Sequence, residues 1–202
     1  YVDYLGYSCI YREVILTELD KNHLSDIKVL TDNNWIEEGC FKLNVDFKIM
    51  SYTGNNKVSF QLFDDEKIAF ETEFSNLKSD NNFIIDLEKI KKWDIDDPKL
   101  YEIKLILHDS NLKVDEYAFK YGFRTATFTN NGFLLNNVLV KLVGLNRHQS
   151  YPYIGYAAPK SLQELDADIL KDLGCNIVRT SHYPQSEHFL NRADEIGLLV
   201  FE

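Results

Sequence analysis

SLQELDADILKDLGCNIVRTSHYPQSEHFLNRADEIGLLVFE, residues 161–202, decides the fold of the C-terminal part of this chain. Leu162, Leu165, Ile169 and Leu173 recur at steps of three and four, the period of an amphipathic helix. Ser161 stands where an N-cap belongs, and Gly174 where a left-handed C-cap belongs. CNIVRTS (175–181) then predicts a short apolar strand. In QSEHFLNRADEIG (185–197) Phe189, Ala193 and Ile196 share a second helical face, which Gly197 closes. LLVF (198–201) predicts another strand. Upstream, FTNNGFLLNNVLVKLVGLN (128–146) reads as a hairpin turning at Asn136-Asn137. Its second half, 138–145, is dense in Val and Leu and supplies the first strand of the series. Strand–helix–strand–helix–strand with tight connections implies parallel βα units. A complete (βα)8 barrel takes about 250 residues. Residues 126–202 hold two βα repeats and a strand, so the expectation is the first part of such a barrel, left incomplete.

The grammar before residue 126 is different. FKLNVDFKIM (41–50) alternates strictly, with Phe41, Leu43, Val45, Phe47 and Ile49 on one face, as in a half-buried strand. SYTGNN (51–56) gives a turn and VSFQLF (58–63) a returning strand. Phe83–Leu87, Leu100–Leu107 and Val114–Phe123 continue the pattern; Tyr101, Ile103, Leu105 and Leu107 alternate with Glu102, Lys104 and Ile106. YREVILTEL (11–19) reads as the opening strand. Seven or so short strands separated by turns suggest an antiparallel, immunoglobulin-like sandwich of about 110 residues. The fold class expected is therefore mainly β: an immunoglobulin-like β-sandwich over 9–125, followed by a truncated α/β, TIM-barrel segment over 126–202.

Composition narrows the function. The chain carries 32 acidic and 22 basic residues among its 202, a formal net charge of -10. That charge repels phosphate backbones, so nucleic acid is not expected as a partner. No apolar run approaches the roughly 20 residues that span a bilayer, so no membrane partner is expected. Cys9, Cys40 and Cys175 are far apart and form no CxxC pair, which reads as reduced thiols and a cytoplasmic setting. YVDYLGYSCIYREV (1–14) lacks the basic start and long apolar core of a signal peptide. With no initiator Met, it reads as the start of an excised piece, and an export signal upstream stays compatible with it.

Three polar clusters stand at the carboxyl ends of the predicted strands. They are Asn146-Arg147-His148-Gln149, then Arg179 with Ser181 and His182, then Glu202. In a barrel those ends converge on one face, where active sites lie. Any one cluster alone reads as satisfied polar groups capping a strand; three at equivalent positions read as a site. Imidazole, guanidinium and carboxylate together can hydrogen-bond sugar hydroxyls. Competing chemistries lack their patterns. His148, His182 and His188 have no HxxxH or HxH spacing and no adjacent Cys, so no metal is expected. No G-x-S-x-G elbow surrounds Ser181, and no G-x-G-x-x-G loop is present for a nucleotide cofactor. Tyr151, Tyr153, Tyr156 and Tyr183 fit either a sugar platform or ordinary loop packing.

GLNRHQ (144–149), YIGYA (153–157), VRTSHYP (178–184) and DEIGLLVFE (194–202), in this order, resemble the start of the barrel of glycoside hydrolase family 2, its bacterial β-galactosidase branch above all. IYREV (10–14), WDIDDPKLYEI (93–103) and YGFRTATF (121–128) extend the resemblance over nearly the whole chain. It implies that residues 1–8 are a remnant of a preceding sugar-binding domain. It also implies a parent enzyme that hydrolyses terminal β-galactosides with retention, through two glutamates that lie on later strands. None of Glu13, Glu187, Glu195 or Glu202 matches their motifs, so no catalytic carboxylate is expected here and the piece alone should be inert. By the same resemblance His148, Arg179 and His182 bind substrate, and Asn146, Arg147 and Glu202 support them. No cofactor is implied for this stretch; a divalent cation and a homo-oligomeric parent are compatible with the family. Gln149 departs from the N-R-H-E of the best-known β-galactosidases, and Arg147 from the N-K-H-E-D of related glucuronidases. A same-family β-glucuronidase or other β-glycosidase is therefore the alternative, and a non-catalytic carbohydrate-binding or scaffolding module is the alternative of another class.

Overall fold

The computed structural model describes residues 10–32 and 38–202. They form two compact units, one of Thr17–Trp93 with Lys99–Leu139, the other of residues 10–16, Asp94–Pro98 and Val140–Glu202. The chain is mostly strand, as expected for a sandwich followed by the start of a barrel. The proposed remnant 1–8 lies outside the described residues.

The first unit is built on seven strands: β1 (Leu24–Thr31), β2 (Phe41–Ile49), β3 (Asn56–Asp64), β4 (Lys67–Phe74), β5 (Asp80–Leu87), β6 (Tyr101–Asp109) and β7 (Leu112–Tyr121). They make two antiparallel sheets, ordered β1-β2-β5 and β4-β3-β6-β7. The alternation read at 41–50 appears directly as burial: Phe41, Leu43, Val45, Phe47 and Ile49 are all at most 3% exposed. They share one core with Val58, Phe60, Leu62, Ile103, Leu105 and Leu107 from the other sheet. Each such side chain contributes about 1.5–3 kcal/mol by leaving water, which makes this core the main source of the unit's stability. Polar groups stitch β1 to β7 along one seam. The Leu24 N–H donates to Asp115 Oδ2 at 2.8 Å, and the Thr31 N–H to the Tyr121 hydroxyl at 2.7 Å.

Two of these strands escape a simple pattern search. In β1 the register shifts between Ser25 and Lys28, with Asp26 at φ 49°, so the alternation is broken. β4 is an edge strand whose outward Lys67, Glu71 and Glu73 leave little apolar signal. The opposite error occurs at YREVILTEL (11–19), which is not a strand. Ile15 and Leu16 are 81% and 98% exposed there. Alternation marks a strand only if a sheet edge is available to pair with, and none pairs with this segment.

A short meander follows: β8 (Ala126–Thr129), β9 (Gly132–Leu135) and β10 (Val138–Val140), in the order β10-β9-β8. Asn136 and Asn137 turn the second hairpin with φ of 50° and 64°, the left-handed pair of a type I′ turn. The run 138–145 is not one strand. It divides into β10 and β11 (Gly144–Arg147).

The second unit contains a parallel sheet ordered β11-β12-β13, where β12 is Ile177–Thr180 and β13 is Leu199–Phe201. Helix α1 (Lys160–Asp172) connects β11 to β12, and α2 (Glu187–Ile196) connects β12 to β13. Both helices end on left-handed glycines, Gly174 at φ 82° and Gly197 at φ 76°. The start of α1 differs from expectation: Pro159, not Ser161, is its N-cap residue. Proline holds φ near the helical value and needs no hydrogen-bond donor there. The buried face of α1 also differs. Gln163, Ala167 and Leu170 are buried, whereas Leu165, Ile169 and Leu173 are 46–68% exposed. Two helical stripes compete in this sequence, and the one carrying a small residue and a hydrogen-bonding glutamine packs inward. In α2, Phe189 and Ala193 are buried as expected and Ile196 partly so.

Candidate functional site

The parallel register sets which side chains share a face. Asn146 stands opposite Arg179, and Arg179 opposite Phe201. Successive residues alternate across a sheet, so Arg147 and Thr180 project to the other side. Gly144 makes this register close: a Cβ there would lie 1.8 Å from the Ile177 carbonyl oxygen. Beyond the last ladder pair the Ser181 N–H still donates to the Arg147 carbonyl at 2.9 Å, which carries the alignment to the two histidines.

His148 and His182 meet at the ends of β11 and β12. Their ring centroids are 5.7 Å apart and nearly perpendicular. Tyr183 packs beside them, 6.2 Å from His148, and its hydroxyl accepts the Gln149 N–H at 3.1 Å. Tyr156 lies against Tyr183 at 5.0 Å. A cleft of about 410 Å³ opens here, lined among others by Arg179, His182, Tyr183, Phe201 and Glu202. Glu202 is fixed by accepting the Gln185 N–H at 3.3 Å. Among the described lining residues it alone carries a carboxylate. Asn146 and Arg179 are exposed on the sheet face, and His148 is half-buried.

Arg147 is placed elsewhere. It is 4% exposed on the helix side of the sheet. Its Nε donates to Asp166 at 2.7 Å and Nη2 to Gln163 at 2.7 Å, both on α1. Nη1 donates to the Gln185 side chain, and the guanidinium lies 3.9 Å from the Phe189 ring centroid of α2. One buried cation thus joins β11, both helices and the loop that holds Glu202. Next to it, burial and the neighbouring Asp166 push the Tyr151 hydroxyl up to about 12. The Tyr151 hydroxyl donates to the Leu162 carbonyl at 3.0 Å, so this tyrosine is a structural anchor of its loop.

The loop 151–155 closes on itself through reciprocal Tyr151–Gly155 backbone bonds of 3.0 Å. Tyr153 projects fully exposed from it with φ 70°. Of the four tyrosines read as platform or packing, Tyr151 and Tyr156 pack, Tyr183 borders the cleft and Tyr153 stands free in solvent. Gln185 was not singled out from the sequence, although it is 4% exposed and bonded to both Arg147 and Glu202. A lone amide before a helix start is common, and its meaning rests on long-range partners. Gln149 is fully buried, with its Nε2 unpartnered, as is the Ser181 hydroxyl.

Among the described residues no three His, Cys, Asp or Glu side chains converge as a metal-holding group. No described helix is long and apolar enough to cross a membrane. Cys175 is a free, buried thiol, and Cys9 lies outside the described residues.

Comparison with known proteins covers the whole chain. The family description "Glycosyl hydrolases family 2" matches residues 15–124, and "Glycosyl hydrolases family 2, TIM barrel domain" matches residues 127–202. A β-galactosidase of Thermoanaerobacterium thermosulfurigenes is 49% identical over 100% of this chain and 29% of its own length. One of Thermoanaerobacter pseudethanolicus is 39% identical over 100% of this chain and 28% of its own length. The chain therefore spans less than a third of these relatives. A crystal structure of an FMN-binding β-glucuronidase from Facaelibacterium prausnitzii L2-6 superposes with a TM-score of 0.81 and 25% identity, covering 90% of this chain and 29% of that one.

Proposed function

The chain belongs to glycoside hydrolase family 2, and from that premise we propose that it is the sugar-positioning part of a retaining hydrolase of terminal β-galactosides. The observation that carries this reading is the pair His148 and His182, their rings nearly perpendicular at two consecutive strand ends, with His182, Arg179 and Glu202 lining one cleft. The 49% identity to a β-galactosidase favours galactose over glucuronic acid.

The chemistry assigned to each group follows from its type. Sugar hydroxyls both donate and accept, and imidazole nitrogens can do either according to tautomer. Two perpendicular rings therefore offer differently directed partners to neighbouring hydroxyls. Arg179 supplies a fixed positive charge and guanidinium donors from which a sugar hydroxyl or a carboxyl group can accept. Glu202 can accept from a sugar hydroxyl. Asn146 completes the polar face, and Arg147 holds the strand ends from behind.

Retention requires two carboxyl groups about 5–5.5 Å apart, one as nucleophile and one as acid and then base. Glu202 is a single carboxylate, so in this reading both catalytic groups belong to other parts of the parent protein. The 202-residue chain alone then orients sugar without cleaving it. A substrate panel on the full-length protein tests the reading. Fast release from a chromogenic β-galactoside, with slow or absent release from the matching β-glucuronide, is expected. The reverse order of rates selects the glucuronidase reading, and no release from any β-glycoside rejects the enzyme reading.

A further inference from the structure

We propose that Arg12 is a positioning residue for His148 and His182, acting from a segment far away in sequence. The inference rests on the functional reading above for the role of the histidines, and on geometry for the role of the arginine. Arg12 makes three hydrogen bonds. Nη1 donates to the Gln185 carbonyl at 2.7 Å. Nη2 donates to the Pro184 carbonyl at 2.7 Å and to Gln149 Oε1 at 2.9 Å. Gln149 directly follows His148, and Pro184 lies two residues after His182. One planar guanidinium therefore ties together the two loops on which the histidines sit.

The partners make this a site-shaping contact rather than a surface bond. Gln149 is fully buried, and its side-chain oxygen is taken by Arg12 while its Nε2 has no partner. Its backbone N–H is held by the Tyr183 hydroxyl. The Gln185 N–H is meanwhile bonded to Glu202 and the Gln185 side chain to Arg147. Removing Arg12 frees the 184–185 carbonyls and leaves both polar ends of the Gln149 amide unpartnered, one residue from His148. The fork geometry matters, because a lysine ammonium cannot present two parallel N–H edges to three acceptors. Nothing in segment 10–16 is regular secondary structure, and Ile15 and Leu16 are exposed. Tyr11 packs against Tyr156 and Glu13 lies 3.5 Å from His188, while Arg12 is the residue of this segment that bonds the histidine loops.

A displacement of reacting groups by about 1 Å costs on the order of 100-fold in rate. The test is a double-mutant cycle in the full-length protein, with Arg12→Ala, His148→Ala and the combined variant, scored by kcat/KM on a chromogenic β-galactoside. Arg12→Ala is expected to lower kcat/KM by about 100-fold at a temperature well below its unfolding. The combined variant is expected to fall below His148→Ala alone by clearly less than about 100-fold, because Arg12 acts in part through that histidine and in part through His182. Arg12→Lys carries the same cycle if Arg12→Ala does not fold, and should recover only part of the loss. Unchanged kcat/KM in a folded Arg12 variant beside a crippled His148→Ala overturns this inference alone, as does strict additivity of the two losses. Unchanged kcat/KM in His148→Ala overturns the reading of the site and this inference with it.

Discussion

At the scale of single residues, the structure separates two arginines that the sequence places in one polar motif and one strand-end cluster. Arg179 faces the cleft, whereas Arg147 is a buried tie between strand and helices. Breaking a buried ion pair by removing one partner costs about 3–5 kcal/mol, because the remaining charge stays desolvated. Asp166 keeps 27% of its side chain in contact with solvent, which puts Arg147→Ala at the lower end. A fall of about 3 kcal/mol in the unfolding free energy is expected by urea titration, with Arg147→Met milder if Asp166 is changed to Leu at the same time. Tyr151 gives a pH prediction. Its hydroxyl is raised to about 12 in the folded state, so between the ordinary tyrosine value of about 10 and 12 the unfolded chain loses a proton that the folded chain keeps. Stability from this group is present below pH 10 and is lost as pH rises toward 12. Thermal scans across that window should show Tyr151→Phe losing less stability than the wild type; equal slopes would assign the dependence to other groups.

At the scale of elements, legibility followed locality. β2 and β6 were readable because every second residue is apolar and enters one core. The glycine ends of both helices were readable because left-handed backbone is a local property. The exposed stripe on α1 was not, because the choice between Leu165, Ile169 and Leu173 on one side and Gln163, Ala167 and Leu170 on the other is made by Arg147, which bonds Gln163. YREVILTEL failed for the same reason: its alternation is genuine, but pairing depends on a partner that is distant in sequence. The strand-end residues His148, Arg179, His182 and Glu202 were legible because parallel βα repeats place equivalent positions together. Arg12 and Gln185 were not, since each bonds to residues that no local pattern connects. The tight β11–β12 approach yields a prediction of its own. Gly144→Ala would drive a methyl group into the Ile177 backbone, and backbone cannot yield as a side chain can. A loss of about 3 kcal/mol or more is expected on unfolding. The same change should lower kcat/KM of the full-length protein, since it shifts the register that aligns the histidines.

At the scale of the whole molecule, each of the two units combines a buried core with exposed apolar side chains. The sandwich core is closed between its sheets, with Val58, Phe60, Leu62, Ile103, Leu105 and Leu107 fully buried. In the α/β unit Leu145, Leu165, Ile169, Leu173 and Phe201 are all 46–68% exposed. Exposed apolar area of this kind recruits other apolar surfaces. The 202-residue chain is therefore expected to bind a hydrophobic dye and to show two unfolding transitions. A single cooperative transition without dye binding would contradict the separation into units. Sugar binding at the strand ends is tested by kcat/KM of the full-length protein on a chromogenic β-galactoside when His182 is changed to Ala. If His182 binds the sugar as proposed, its loss lowers kcat/KM by about 100-fold or more with the fold intact. Kinetics indistinguishable from the unmodified protein would contradict the assignment of this cleft to sugar binding.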